Sequence, residues 1–442
     1  MQAWYHCENV YPFVPQEILD RAESVRASLP NKYCDPKISA DLFEECLDEY
    51  LLCDELGVNV VSIEHHSGIN SLYGASPMIL GILARQTKKV RILSLGTLIT
   101  IRPDPVRVAE EYATADVISR GRLEIGFVKS GDSEMVSGNA NPVGYVDRFW
   151  EAIDLIQKTL TSHDGPFSWE GKHFTHRHVN IWPPVYQRPH PPMWAATGDP
   201  ETSAELGRRG MINALVLRGP EASKRAFDAY RDARRAAGLT APGTDRFAYA
   251  ALCYVGETDE EGLRVGSKTL WFLNTSLKQS PQMSKFLPGR MSPEVAAQNY
   301  RTQPRPGSQA ASRPGQSLIG ITAEQAIARG ILCAGNPDTV YRQIMDIYEK
   351  VGGFGHFIFI GRSGFLDHRE AEKGIRLMAK EVLPRLPRRH RPLPPHPHAP
   401  PNSQGRNDDE RRHTLDRSRT DRCREAAAGP RSRRARPHPG VP

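Results

Sequence analysis

Cysteine is scarce in this 442-residue chain: seven residues, at 7, 34, 46, 53, 253, 333 and 423. The count is odd and no C-x-x-C pair occurs. That argues against a disulfide framework or a zinc site and for reduced thiols in a cytoplasmic protein. No apolar run approaches the ~18 residues of a membrane-spanning helix, so no membrane association is expected. The opening residues Met1-Gln2-Ala3-Trp4-Tyr5-His6-Cys7-Glu8 lack the basic cap and apolar core of an export signal. G-x-S-x-G and H-E-x-x-H are absent as well. His173, His176 and His178 lack the spacing of a metal site, and no metal is expected. Gly352-Gly353-Phe354-Gly355 precedes a strand-like run instead of following one, which excludes a dinucleotide loop.

The net charge of +7 is unevenly placed. Residues 385–442 hold 15 Arg against 6 acidic residues, a net +9, which leaves −2 for the rest of the chain. The body therefore gives no electrostatic reason to expect nucleic acid. The same 385–442 stretch has no Phe, Tyr or Trp and is rich in Pro and Arg. Such a segment buries too little apolar surface to offset its ordering entropy, and a disordered basic tail is expected. With 39% hydrophobic residues the remainder has ample material for a core.

Residues 1–384 alternate strand-like and helix-like segments. Strands are expected at Ala3–His6, Asn59–Ile63, Val90–Ile101, Leu123–Val128, Met193–Ala196, Met211–Leu217, Ala248–Val255 and His356–Ile360, with helical periodicity between them. Eight β/α units imply an α/β fold, a (β/α)8 TIM barrel closed by a parallel sheet. Two stretches interrupt the rhythm. Residues 165–191 carry Trp169, Gly171, Pro183, Pro184 and Pro189 and suggest an inserted hairpin or loop. Residues 277–320 have little periodicity and suggest a mobile, lid-like insertion. The Asp104–Gly126 stretch, with Arg107, Glu110, Asp116, Gly121 and Arg122, is expected at a helix-to-strand turn on the opposite, stability face, as ion pairs and a tight turn.

A barrel of this type places its chemistry on the loops that follow the strands. Those loops hold Glu64-His65-His66, Gly96-Thr97-Leu98-Ile99, Lys129-Ser130-Gly131, Thr197-Gly198-Asp199-Pro200-Glu201-Thr202 and Gly361-Arg362. The fifth loop runs into a helix whose free N–H groups form a seat for phosphate, with Lys129 as a matching cation. The same residues also read as plain helix capping by Asp199 or Thr197, and the two readings are compatible. His65 stands where it reaches a ring lying near strands two and three.

These residues resemble the bacterial-luciferase-like flavin monooxygenases. The matching stretches are Glu64-His65-His66, Gly74–Arg85, Gly96-Thr97, the string Asp104–Gly126, Arg148-Phe149-Trp150-Glu151, Pro192–Gly210 and Gly335-Asn336-Pro337, across residues 1–384. The resemblance implies a two-component, FMNH2-dependent monooxygenase. Reduced FMN comes from a separate reductase, O2 adds at flavin C4a, and the hydroperoxide oxygenates a small organic substrate. His65 falls on the catalytic histidine, and imidazole chemistry near neutral pH suits that role. Leu98-Ile99 falls where relatives carry a non-prolyl cis peptide behind the flavin. Thr97, Lys129, Gly131, Thr197, Gly198, Asp199 and Thr202 fall on flavin-binding positions. Lys129 replaces an arginine common in relatives and keeps the charge without the fork. Val128 stands where luciferase has a reactive cysteine, which argues against light emission. Relatives are often homodimers. A deazaflavin (F420)-dependent oxidoreductase or a non-catalytic flavin-binding homologue stands as the alternative. Trp194, Tyr73, Phe127 and Phe365 are candidate apolar groups near the mouth, or core.

Overall fold

The barrel strands form from short, mostly apolar runs. The strands are β1 (Gln2–Cys7), β2 (Asn59–Ser62), β3 (Ile92–Leu98), β4 (Leu123–Val128), β5 (Phe167–Glu170), β6 (Thr175–Val179), β7 (Met193–Ala196), β8 (Ile212–Val216), β9 (Phe247–Val255), β10 (Leu332–Gly335) and β11 (His356–Arg362). The helices are α1 (Gln16–Arg21), α2 (Pro36–Leu56), α3 (Ser76–Gln86), α4 (Pro105–Ser119), α5 (Asp132–Ser137), α6 (Tyr145–Thr161) and α7 (Pro200–Arg209). They continue with α8 (Gly219–Ala236), α9 (Asp259–Gly266), α10 (Leu270–Ser276), α11 (Ala323–Ala328), α12 (Pro337–Lys350) and α13 (His368–Leu377). This computed structural model describes residues 1–65, 68–141, 143–276 and 318–387. The lid-like segment and the basic tail expected from the sequence fall, in 277–317 and 388–442, outside the described residues.

The ring runs β1-β2-β3-β4-β7-β8-β9-β11 and closes on β1, with every pairing parallel. This is the expected eight-stranded barrel. Its interior is filled by Trp4, Val61, Leu93, Leu95, Trp194, Ile212, Ala214, Ala248, Ala250 and Ile358. The two tryptophans meet edge to face at 5.5 Å, and alanines opposite them leave the room. Glu124 is buried on the same inner face, where it accepts from Trp194 Nε1 at 2.5 Å and pairs with Arg91. Trp194 therefore belongs to the barrel filling. Tyr73 is buried against Phe43 and Phe127 against Tyr112, while Phe365 is exposed beside Trp271.

Two features were not legible beforehand. β10 is four residues long and pairs only with the second half of β9, from Leu252 to Val255. It gave no signal because four residues are too few to carry a strand period, and only the short α11 separates it from the aperiodic stretch. α2 begins at Pro36, five residues before the apolar stripe: Asp35 accepts from Lys37 N at 2.8 Å and Pro36 occupies the first turn. The insertion expected in 165–191 is a hairpin, with β5 and β6 paired antiparallel.

The Asp104–Gly126 stretch divides differently from expectation. Arg107 and Glu110 form an exposed pair at 2.8 Å near the start of α4, the end nearer the loops that follow the strands. Arg122 at the far end makes no ion pair among the described residues. Its guanidinium donates to the carbonyls of Ser119 (2.9 Å), Val90 (2.9 Å), Ala84 (3.0 Å) and Thr87 (2.9 Å), and to Thr87 Oγ1 (2.7 Å). Asp116 accepts both the backbone and side-chain amides of Gln187. Arg122 thus satisfies carbonyls that α3, α4 and the β3 approach leave open. Arg122→Met should cost about 2–4 kcal/mol, because several half-buried acceptors lose a charged donor. Urea unfolding with an unchanged m-value measures it; a loss under about 0.5 kcal/mol would show that water replaces the guanidinium.

Candidate active site at the carboxyl ends of the strands

His65 lies three residues past β2. Its backbone N–H donates to Tyr73 O at 2.9 Å, which fixes where the ring starts. The ring places Nδ1 3.0 Å from Glu134 Oε1 and Nε2 3.7 Å from Glu8 Oε2. Glu134 sits on α5, in the connection after β4, and is 3% exposed. Its other oxygen accepts the Gly131 N–H at 2.6 Å, and Arg26 lies 3.4 Å from Oε1. Burial by itself would raise this carboxyl. The His65 hydrogen bond and charge, Arg26 and the Gly131 amide outweigh it and hold the group at about 2. An ionised carboxylate only accepts, so Nδ1 of His65 is the donor and Nε2 is left to the site.

Glu8 follows β1 and is equally buried, with Oε1 3.1 Å from His6 Nε2. Burial works against its charge, but His6 first, then His65 and Arg26, hold its carboxyl below the usual range.

The loop after β4 also reaches the other side of the mouth. Lys129 Nζ donates to Thr202 Oγ1 at 2.8 Å and lies 3.5 Å from Asp199 Oδ2. Ser130 Oγ meets Thr100 Oγ1 at 2.7 Å, and Ser130 N donates to Thr100 Oγ1 at 3.2 Å. One loop therefore touches the loops after β2, β3 and β7. Lys129, Asp199, Thr202 and, through Glu134, His65 are brought into one chain of contacts.

Other expectations need correction. The non-prolyl cis peptide is Leu95–Gly96, three residues before Leu98-Ile99. It falls in the gap where the pairing of β3 with β4 slips, between Ser94 and Thr97. Gly96 and Gly126 are packed here: a Cβ on Gly96 would sit 3.1 Å from Gly126 O, and one on Gly126 2.5 Å from Ser94 O. Thr97 Oγ1 accepts from Tyr112 of α4 at 2.6 Å, so its hydroxyl faces the helix layer. Leu98 is buried and pairs with Val128, and Ile99 packs into the core between barrel and helices. The Gly131 amide is committed to Glu134.

At α7 the capping reading holds. The Asp199 carboxylate accepts from Glu201 N at 3.1 Å, Thr202 N at 3.3 Å and the Thr202 hydroxyl. Burial opposes its charge, but Thr202 and Lys129 hold its carboxyl below the usual range. Thr197 Oγ1 accepts Asp199 N at 3.2 Å. The helix amides thus already carry an anion of the chain itself. The sequence reading missed Arg218, the exposed residue two past β8. A Cβ on Gly198 would lie 2.9 Å from its Nε, so the glycine lets this second cation lie against the fifth loop. Its position just past a strand on the loop-bearing rim was the available signal. Glu8 and Glu134 were missed because neither stands in a motif. His66 lies outside the described residues.

Glu134 makes a pH test with a definite sign. Its carboxyl falls from the ordinary 4.5 to about 2 on folding. The charged form is favoured by folding, so its stabilisation is complete above about pH 4.5 and is lost as pH falls through about 2. The stability difference between the native chain and Glu134→Gln should narrow by about 2 kcal/mol between about pH 6 and pH 3. Denaturant unfolding at several pH values measures this; parallel curves would mean that Glu134 is not held ionised by its neighbours.

Residues 35–353 match the family model of luciferase-like monooxygenases. Over 199 residues the chain is 28% identical to the oxygenase component of a flavin-dependent trigonelline monooxygenase from Acinetobacter baylyi, covering 43% of this chain and 54% of that protein. It spans about half the length of several curated relatives that it matches. The fold resembles the oxygenating constituent of 3,6-diketocamphane monooxygenase from Pseudomonas putida, a type II Baeyer–Villiger enzyme solved with FMN. That match has a TM-score of 0.62 and 18% identity, and covers 78% of this chain and 93% of the other. It also resembles the coenzyme F420-dependent tetrahydromethanopterin reductase of Methanopyrus kandleri, with a TM-score of 0.58, 18% identity and 77% and 95% coverage. At these identities the structural matches speak to the fold alone. With a closed parallel barrel, its polar groups gathered on the loops that follow the strands, and a sequence match over most of its length, the chain belongs to the luciferase-like monooxygenase family.

Proposed function

We propose that this chain is the oxygenase of a two-component system, binding reduced FMN from a separate reductase and using O2 to oxygenate a small organic substrate. The observation that carries the reading is the reach of the loop after β4. It sets the cation Lys129 on one side of the mouth and, through Glu134, orients the His65 imidazole on the other. A flavin mononucleotide has matching ends, a dianionic phosphate and a ring that exchanges protons.

The residues fit such a group, though not as the sequence suggested. The α7 amides are capped by Asp199, so a phosphate would be met by the side-chain cations Lys129 and Arg218 and by the hydroxyls of Thr197 and Thr202. Gly198 gives close access. Asp199 keeps Lys129 and Thr202 in place, and a phosphate would compete with its carboxylate for Lys129. Bound reduced flavin supplies the electrons that activate O2. The protein's contribution is to hold His65 with Nδ1 committed to Glu134 and Nε2 presented to the site, where it can hold or release a proton.

Mixing the chain anaerobically with reduced FMN and then with O2 should give a transient absorbance distinct from both reduced and oxidised flavin. His65→Ala should keep flavin affinity while lowering oxygenation by about 100-fold or more, the usual scale of a lost general acid–base. Full turnover in that variant would remove His65 from the chemistry. Turnover with a deazaflavin in the absence of O2 would instead support the F420-dependent alternative.

A further inference from the structure

His6 and Glu8 take no part in the reading above, yet both are buried ionisable groups at the mouth. On β1, Trp4 fills the barrel interior, and His6 two residues on shares that inward face. His6 is 4% exposed and neither ring nitrogen has a well-formed hydrogen bond. Its nearest polar atom is Glu8 Oε1, at ion-pair distance, 3.1 Å from Nε2. Glu8 is 3% exposed, and its Oε2, also without a hydrogen bond, lies 3.7 Å from His65 Nε2. One buried carboxylate therefore stands between two imidazoles, on the ring edge of His65 that faces the site.

The charges around this group can be counted. Glu8 faces His6 from β1, His65 from the loop after β2, and Arg26 from the segment after α1. His65 faces Glu134 on α5, which Arg26 also pairs. The adjoining Glu64 is met by Arg102 at 3.7 Å and belongs to a separate pair. Apart from Glu64 and Arg102, the described residues set two carboxylates and one guanidinium around these rings, one negative charge when both imidazoles are neutral. One proton on either ring balances it, and a second makes the buried group cationic.

We infer that His6 and Glu8 are positioning residues for His65: through the carboxylate they share, the two imidazoles compete for one buried proton, and the charge on His6 sets the proton occupancy of His65. This rests on the proposed role of His65 in the chemistry, but the coupling itself does not require flavin. In the enzyme it would make the proton available at Nε2 depend on a group that substrate never touches.

The direct experiment follows the His6 and His65 ring resonances of the unmodified chain by NMR from about pH 5 to pH 9. The two rings should titrate as a coupled pair, with broad, biphasic curves. His6→Gln should let His65 take its proton at a higher pH, and Glu8→Gln should move it lower. Glu8→Asp should recover part of the native curve. The pH profile of oxygen-dependent flavin turnover should shift in the same directions. Independent single-site curves in the unmodified chain would overturn the inference, even if a variant fails to fold. Coupled rings with no FMN-dependent turnover would leave it standing and reject the assigned reaction instead.

Discussion

A buried, ionised glutamate holds this candidate site together. Glu134 has almost no access to water, and its charge is tolerated because three groups meet it: the His65 ring, the Gly131 amide and Arg26. Each comes from a different part of the chain, so the carboxylate fixes the loop after β4, the loop after β2 and the segment after α1 in one arrangement. Because a carboxylate in this state only accepts, it also decides which His65 nitrogen carries the proton. A neutral residue of the same shape would keep the packing and lose that decision.

The barrel below is what makes such an arrangement affordable. Its interior is filled by Trp4, Trp194 and a set of aliphatic residues, and Glu124 is satisfied by Trp194 and Arg91. Buried polar atoms without a hydrogen bond occur within strands, as at Ser94 and Asn213, and at the strand ends, as His6 and Glu8 show. A folded chain tolerates incompletely paired buried groups where chemistry needs them. The two ends of the mouth share a principle: at each, a carboxylate of the chain orients a nitrogen-bearing side chain, Glu134 for His65 and Asp199 for Lys129.

The barrel was readable because its signal is periodic and repeated, apolar strands alternating with capped helices. β10 was not, since four residues beside an aperiodic stretch carry no period. Within the site, His65, Lys129, Asp199 and Thr202 were legible because strand ends define the rim. Thr97 was misplaced because the chain around Leu95–Gly96 does not follow regular strand alternation, so counting residues could not tell which way its hydroxyl faces. Glu8, Glu134 and Arg218 carry no local pattern; what makes them part of the site is a partner tens to hundreds of positions away or a glycine that lets them approach. Whether Asp199 caps its own helix or yields the amides to a ligand is likewise a question of three-dimensional competition.

The account depends most on a phosphate being met by Lys129 and Arg218 across the mouth from His65. Anaerobic equilibrium binding of reduced FMN against reduced riboflavin tests that directly. The phosphate-bearing form should bind at least about tenfold more tightly, as expected for one or more charge-assisted contacts, and Lys129→Ala should erase most of the difference. Equal affinity for the two, or a preference that survives loss of both Lys129 and Arg218, would contradict it.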